Sequence, residues 1–509
     1  MTGDAQSGRS VSLEWLLEDI VALSAEGVRI ADLTLDSRDA VPGSLFLALR
    51  GRQAHGLSFA PQAAQRGASV VLWEPAEGVE PPVLPASVRV VAVPDLGERL
   101  GRICDRFFGS PSAQLRVFGI TGTNGKTTCA HLLAQCLEML GEPAGFIGTL
   151  GWGPIGALTA PTLTTPDVVG IHRRLAALRA LGVRAVAMEV SSHALDQRRV
   201  AGVRFHAAAF TNLSRDHLDY HGTMEVYGEA KARLFAMPGV RHVVLHAGDA
   251  FARALLRRGT AAPLTAVWIG ADRAENEDLA AHARHTLHAA GVDLDRHGIG
   301  MRVAGSFGDA TLHAALIGRF NAENALVVLG CLLVSEIPIA DAAAALGHCA
   351  PPPGRLEIIE PLTQGKPAAV IDYAHTPDAL AKALGALRPH CRGDLWCVFG
   401  CGGDRDPGKR PLMGAVADRL ADEIIITDDN PRSEDPAAIT RAILGGITRR
   451  EARVIHDRAA AIGAALGEAR ALDMVLIAGK GHEEYQVYGE TRRPFSDRSE
   501  ALRHLGAAA

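Results

Sequence analysis

The chain has no apolar run long enough to span a bilayer. Its longest, LVVLGCLLV from Leu326, is half of the roughly 18 residues a spanning helix needs and suits a buried helix. Its eight cysteines include no CxxC pair, so they are expected to be reduced, mostly buried thiols. The first twenty residues carry no basic region followed by an apolar core, so no secretory signal is expected and the cytoplasm is the expected compartment. Positive charge is not in excess either: the formal net charge is −5, which gives no electrostatic case for nucleic acid or anionic lipid as a partner. There is no short-period repeat and no low-complexity segment. The terminal HLGAAA is expected to fray.

What is present is the pattern of an ordinary globular protein. At 509 residues, 48% hydrophobic and 21% charged, the chain is expected to form two to four domains. Apolar runs of four to seven residues recur and end in glycine or polar turns: LRVFGITG, RAVAMEVS, HAAAFTNLS, AAVIDYAH, DLWCVFGCGG, EIIITDDN and DMVLIAGKGHE. Continuously apolar strands alternating with amphipathic stretches predict an α/β fold of repeated βαβ units, with a mainly parallel sheet covered on both faces. Function is then expected at the carboxyl ends of the strands. Boundaries are placed at the FGSPS turn and at the prolines of HCAPPPGRLE, dividing the chain into residues 1–110, 111–350 and 351–509.

Gly119-Ile-Thr-Gly122-Thr123-Asn124-Gly125-Lys126-Thr127-Thr128 follows a predicted strand and opens a predicted helix. In that context glycines let backbone N–H groups close around phosphate, Lys126 reaches the β/γ phosphates and Thr127 can ligate Mg²⁺. The spacing departs from GxxxxGK[ST], because Ile120 stands where the first glycine would be. Glu189 ends a strand downstream, where a carboxylate can hold Mg²⁺; such a Glu standing alone is more often structural, and the phosphate loop upstream favours the metal reading. His217 and His221 lie in TNLSRDHLDYHG, as metal ligands or as exposed loop histidines. Lys231, on the following helix, reads by default as a solvated lysine.

Taken in order, GITGTNGKTT, TTP at Thr164, MEVSSHAL, TNLSRDHLDYHG, GRFNAENAL, PGRLE, DYAHTPDAL, GCGGDRDPGKRPLMG, DNPR and GKGHEEYQ resemble the Mur ligases, over nearly the whole chain from Leu35 to Arg498. The resemblance implies an N-terminal UDP-binding α/β domain, a central P-loop-type ATPase with a mainly parallel sheet, and a C-terminal Rossmann-like domain that brings the amino acid. It implies an ADP-forming ligase that adds meso-2,6-diaminopimelate to the D-glutamate of UDP-N-acetylmuramoyl-L-alanyl-D-glutamate through an acyl phosphate, in peptidoglycan precursor synthesis. A cytoplasmic monomer using ATP and two Mg²⁺ ions is expected.

The resemblance also assigns roles residue by residue. Ser37 matches a uridine-nucleotide contact, and Thr164, Thr165, Ser191, Gln197 and Arg199 match contacts to the muramoyl peptide; Leu163 stands where the family commonly has Asn. Lys231 matches a lysine carbamylated by CO₂, which reverses its default reading by turning a cation into an anionic metal ligand. His217 matches a second-metal ligand, and Thr127 with Glu189 the first-metal set. Lys126, Glu189, His217 and Lys231 form the expected catalytic set. Besides Gly122 to Thr128, the ATP contacts are Asn321, Asn324, Arg355, Asp372 and His375. For the incoming amino acid they are Arg405, Asp429, Asn430, Pro431, Arg432, Gly479 and Glu483.

Arg432 bears on which amino acid is added. Its planar fork can bind the distal carboxylate of meso-diaminopimelate, whereas it would repel the ammonium of L-lysine. Lysine addition is the nearest alternative. A folylpolyglutamate-synthase-like ligase would share the phosphate loop and the metal lysine, but the N-terminal LDSR and GSLFLALRG favour a UDP-sugar substrate. A nucleotide-binding module without ligase turnover would bind ATP and release no ADP.

Overall fold

The computed structural model describes residues 10–23, 27–51, 54–159, 163–295, 297–362 and 365–506. The chain folds into two compact units, 1–130 with 137–245 and 249–264, and 131–136 with 246–248 and 265–509.

The first unit contains two parallel arrangements. Near the N-terminus, Asp32–Thr34, Ser44–Ala48, Val70–Trp73 and Arg89–Ala92 pair in that order, all parallel. Further on, Arg116–Thr121 lies between Ala207–Phe210 and Ala185–Glu189, with Ala144–Gly148 beyond the latter, again all parallel. Their residues are almost wholly buried, which is why they read as unbroken apolar runs rather than alternating ones. The phosphate-loop motif, Glu189 and TNLS all follow the carboxyl ends of these strands. An antiparallel strand, Gly151–Pro154, closes the edge next to Ala144–Gly148.

In the second unit a small antiparallel meander, Gly298–Gly305 paired with Asp293–Asp295 and Ala310–Ala314, adds to the parallel pair Leu264–Ile269 and His285–Ala289. The pattern of apolar runs does not predict this excursion, because its strands are half exposed and carry no continuous apolar run. LVVLGCLLV lies, but for its last residue, in the helix Arg319–Leu333, which is buried along most of its length.

The last sheet runs Glu357–Ile359, Ala368–Asp372, Met474–Ala478, Leu395–Phe399, Glu423–Ile426, Ala452–Val454, parallel except for the first strand. Its residues alternate between two apolar clusters. Val370, Cys397, Phe399, Ile424, Ile426 and Leu476 face one; Ala369, Ile371, Val398, Ile425, Val475 and Ile477 face the other. Both faces are covered by helices, so nearly every position of the inner strands Ala368–Asp372, Leu395–Phe399 and Met474–Ala478 is a core position. Helices start on hydrogen-bonding caps: Thr376 accepts from Ala379 N, Asp435 from Ala437 N and Asp457 from Ala460 N, each satisfying an amide that the first turn leaves without a partner.

All eight cysteines are free and buried, and burial pushes the thiols of Cys331 and Cys401 up to about 12. Among the described residues no helix is long and apolar enough to cross a membrane. The expectation of a frayed terminus is corrected in part. His504 and Leu505 belong to the helix Asp497–Leu505, and Leu505 is buried; residues 507–509 lie outside the described ones.

One buried ion pair anchors this sheet's ligand-facing end. Arg458, wholly buried, donates through Nε and Nη2 to the carboxylate of Asp497 at 2.6 and 2.8 Å. Nη2 also donates to Ala478 O at 3.0 Å, at the carboxyl end of a central strand. Arg458→Leu would leave Asp497 as an uncompensated buried charge, which costs roughly 3–5 kcal/mol. A urea unfolding curve of the variant is expected to show a loss of that size.

Candidate active site

The phosphate loop between Thr121 and Lys126 is held from one side by the segment after Ala207–Phe210. Thr123 N donates to Asn212 O at 2.8 Å, Asn124 N to Asn212 Oδ1 at 3.0 Å, and Thr211 Oγ1 to Asn124 O at 2.6 Å. Gly122 has φ +152°, and a β-carbon there would collide with Thr211 Oγ1, so the loop can lie this close only because the position is glycine. Lys126 Nζ lies over the loop, donating to Gly122 O and Thr123 O at 2.9 and 2.8 Å. Gly125 to Thr128 lead into the helix Lys126–Met139, whose N-terminus faces the loop with the geometry that favours anions.

Glu189 is the carboxylate of this site. It is cut off from solvent, and burial raises its pKa against the opposing pull of Lys126 and of hydrogen bonds from Thr149 and Thr127. Thr127 Oγ1 donates to Glu189 Oε2 at 2.9 Å, and Thr149 N to Oε1 at 2.7 Å. Thr149 was missed by sequence reasoning; the only signal was its place just past the strand Ala144–Gly148. A buried carboxylate beside a threonine hydroxyl at the phosphate loop is a hard oxygen donor set, which suits Mg²⁺.

Lys231 is buried, and its Nζ donates to Gly122 O at 2.8 Å. Burial, with Lys126 nearby, lowers its pKa to about 6 against the opposing effect of Asp216. Burial therefore favours the neutral amine, and the default reading of a solvated lysine is overturned. Its Nζ also lies 4.4 Å from the Tyr227 ring centroid. His217 is exposed, with its ring 6.1 Å from Tyr227 and 4.8 Å from His193. His221 is instead buried against Ser192 Oγ at 3.0 Å. Among the described residues no three His, Cys, Asp or Glu side chains cluster as a metal site; the expected set relies on a threonine and a modified lysine in addition to Glu189 and His217.

The residues expected to touch the muramoyl peptide share one network with Glu189. Thr164 Oγ1 is 3.1 Å from Thr149 Oγ1, and Thr165 Oγ1 donates to Glu189 O at 2.9 Å. Arg199 donates to Thr165 O at 2.9 Å and to Gln197 Oε1, and Ser191 caps the helix Ser192–Asp196. Ser37 lies apart from that network, buried, with its hydroxyl donating to Gln62 Oε1 at 2.6 Å.

In the second unit, Asn321 and Asn324 are paired at 2.9 Å on the helix Arg319–Leu333. Arg355 stacks 5.3 Å over Tyr373 with its buried Nε unpaired. Asp372 accepts from Leu356 N and Ala374 N at 2.9 Å, while burial raises its pKa. His375 is exposed beside Tyr373.

Past Glu423–Ile426 the chain runs through Asp428-Asp429-Asn430-Pro431-Arg432. Arg432 has φ +52°, an unusual conformation for a side chain of its size and one that concentrates at functional sites. It is held there by Arg432 N to Val487 O at 3.0 Å and Gly489 N to Arg432 O at 2.7 Å, with Nη1 donating to Gly403 O at 2.7 Å. Pro431 O accepts from Glu434 N. Asn430 Nδ2 donates to Glu483 Oε2 at 3.1 Å. Gly479, at φ +120°, lies where a β-carbon would stand 2.8 Å from Asp429 Oδ2. Arg405 is an exposed side chain on the preceding loop. Asp428, to which sequence reasoning assigns no role, is a buried brace: it takes His456 Nδ1 at 2.8 Å and Tyr488 OH at 3.2 Å.

Family models match three stretches of the chain: "Mur ligase family, catalytic domain" over residues 29–108, "Mur ligase middle domain" over 120–332, and "Mur ligase, glutamate ligase domain" over 354–481. The chain belongs to the Mur ligase family. Curated Mur ligase relatives similar to it include the UDP-N-acetylmuramoyl-L-alanyl-D-glutamate–2,6-diaminopimelate ligases of Alkalilimnicola ehrlichii, 47% identical with 94% of this chain and 95% of that one covered, and of Pseudomonas aeruginosa, 45% identical with the same coverage. A solved structure bearing that ligase name matches with a TM-score of 0.76 and 32% identity, covering 98% of this chain and 99% of that one.

The phosphate loop of this Mur ligase offers a direct test. Gly122→Ala is expected to leave the circular dichroism spectrum unchanged and to weaken ATP binding about tenfold or more by titration calorimetry, or ~1.4 kcal/mol.

Proposed function

We propose that this Mur ligase is the ATP-dependent enzyme that joins meso-2,6-diaminopimelate to the D-glutamate of UDP-N-acetylmuramoyl-L-alanyl-D-glutamate, in the cytoplasm. The observation that carries this reading is Arg432, fixed at φ +52° with its guanidinium donating to Gly403 O, in a chain 47% identical to a ligase of that name. Residues 1–110 grip the UDP portion through Ser37, residues 111–350 carry the ATPase, and residues 351–509 bring the amino acid. The placement of the three family matches supports that division.

A carboxylate is a poor electrophile, so the glutamate side chain must first be activated. It attacks the γ-phosphorus of ATP, forming an acyl phosphate and ADP. The neutral amine of the incoming amino acid then attacks the acyl carbon, and phosphate leaves. Lys126 and the helix N-terminus behind it stabilise charge on the transferring phosphoryl group. Thr127 and Glu189 would hold Mg²⁺, with His217 and carbamylated Lys231 holding a second ion; bound there, the metal offsets phosphate charge. Thr164, Thr165, Ser191, Gln197 and Arg199 orient the muramoyl peptide, and their link to Glu189 through Thr149 and Thr165 supports that role. Asn321, Asn324, Arg355, Asp372 and His375 contact the nucleotide; the unpaired Nε of Arg355 favours an anionic ligand there.

For Lys231, a neutral buried amine is the form that attacks CO₂. A ¹³C spectrum with labelled bicarbonate is expected to show a carbamate carbonyl signal that vanishes in Lys231→Ala; an identical signal in both proteins would refute the modification.

Arg432 separates the two amino acids. Its guanidinium pairs with the distal carboxylate of meso-diaminopimelate and repels the terminal ammonium of lysine. Arg405, Asp429, Asn430, Pro431, Gly479 and Glu483 shape the rest of that pocket. The folylpolyglutamate synthase of Mycobacterium tuberculosis is 19% identical with a TM-score of 0.55, a likeness of fold alone. With ATP, Mg²⁺ and the UDP-muramoyl dipeptide supplied, phosphate release is expected with meso-diaminopimelate and not with L-lysine. Arg432→Ala is expected to raise KM for the amino acid about tenfold or more, the scale of a lost charge-assisted pair, while KM for ATP holds. Equal turnover with both amino acids would overturn the specificity, and no turnover with either would overturn the reaction.

A further inference from the structure

We infer that Lys480 is a positioning residue for the incoming amino acid, its buried ammonium fixing Glu483, Asn430 and Asp429 as one array of acceptors. The inference rests on the ligase reading above and deepens it, since no role has been given to this lysine.

Lys480 follows Gly479 past the carboxyl end of Met474–Ala478, and its side chain is wholly excluded from solvent. Its Nζ lies 3.1 Å from Glu483 Oε2, 3.3 Å from Asn430 Oδ1 and 3.6 Å from Asp429 Oδ1. The Tyr485 ring centroid is 5.5 Å away. Asn430 closes the array: its Nδ2 donates to the same Glu483 oxygen at 3.1 Å, and its Oδ1 also accepts from Val487 N at 3.0 Å.

The order of burial gives this arrangement its direction. Lys480 is fully enclosed, whereas the side chains of Asp429 and Glu483 retain 8% and 20% exposure. The cation therefore lies behind the carboxylates, which keep their outer lone pairs for a ligand. Asp429 and Glu483 share this one cation, whose charge offsets the repulsion between them. A Lys ammonium can donate three hydrogen bonds, and the three oxygens around this one all belong to residues of the amino-acid pocket.

Charge balance gives the specificity argument. Lys480 offsets one of the two carboxylates of Asp429 and Glu483 in the acceptor array, while Arg432 and Arg405, assigned to the same pocket, carry positive charge. That suits a head group that is itself zwitterionic, one ammonium meeting the acceptor array and one carboxylate meeting Arg432. Removing the lysine charge makes the acceptor array more negative, which disfavours a carboxylate and favours a bare ammonium. Lys480 is thus expected to act on the choice of amino acid without touching it.

The test compares Lys480→Met, which keeps the length and loses the charge, with Lys480→Arg, which keeps the charge. Steady-state phosphate release gives KM for meso-diaminopimelate, for ATP and for the UDP-muramoyl dipeptide, and kcat/KM for meso-diaminopimelate over L-lysine. In Lys480→Met, KM for meso-diaminopimelate is expected to rise about tenfold or more, the scale of a charge-assisted hydrogen bond. The preference over lysine is expected to fall by a similar factor, with KM for ATP within about twofold of wild type on the same scale. Lys480→Arg is expected to retain the preference. If Lys480→Met fails to fold, Lys480→Gln takes its place. An unchanged amino-acid KM in the neutral variant, an equal rise in all three KM values, or loss of preference in Lys480→Arg as complete as in Lys480→Met would overturn the inference. Wild-type protein inactive with meso-diaminopimelate would overturn the ligase reading itself, which distinguishes the two failures.

Discussion

A carboxylate held out of water organises the first unit. Glu189 ends a buried parallel strand, and its oxygens are taken up by Thr127 from the phosphate-loop helix and by Thr149 from the neighbouring strand's end. Its backbone oxygen receives Thr165. A buried charge without such partners would be strongly disfavoured, so these contacts are a condition of having the carboxylate there at all. They also tie the glycine-rich loop to the segment of Thr164 and Thr165. One electrostatic requirement thereby joins the loop's helix, a strand end and that segment.

The same logic recurs in the second unit. Arg458 and Asp497 form a wholly buried pair, and Arg458 also steadies Ala478 O at the end of a central strand. Just beyond that strand lie Gly479, Lys480 and Glu483. Two buried cations thus lie near the end of this strand, Arg458 on Asp497 and Lys480 on Asp429 and Glu483, so none of these carboxylates is desolvated alone. Asp428 belongs to this scaffold as a brace between His456 and Tyr488, and Arg432 is strained into place by pairing with Val487 and Gly489.

Much of this was legible in the sequence, for identifiable reasons. Strands such as RVFGIT and MVLIA are buried on both faces, so their apolar runs are unbroken and easily seen. The glycine-rich turn after RVFGIT marked the phosphate loop, and the resemblance to the Mur ligases named the residues proposed for the amino acid. The half-exposed meander between Asp293 and Ala314 carried no such signal, because only alternate positions face a core. Thr149 was equally hidden: a threonine after a strand is common, and only the approach of Glu189 from an adjacent strand gives it a task. Lys231 read as solvated from its helix alone; the resemblance reversed that, and the fold shows the side chain buried.

What the sequence by itself determined was the alternation of buried strands with helices over most of the chain and the family to which it belongs, because motif spacing and apolar patterning are local properties of the chain. What only the tertiary structure decided was the state of the charges: the buried amine of Lys231, the shared carboxylate of Glu189, and the enclosure of Lys480 behind Asp429 and Glu483. Those depend on burial and on partners dozens of residues away. In the chain alone nothing distinguishes a lysine facing water from one enclosed against two carboxylates.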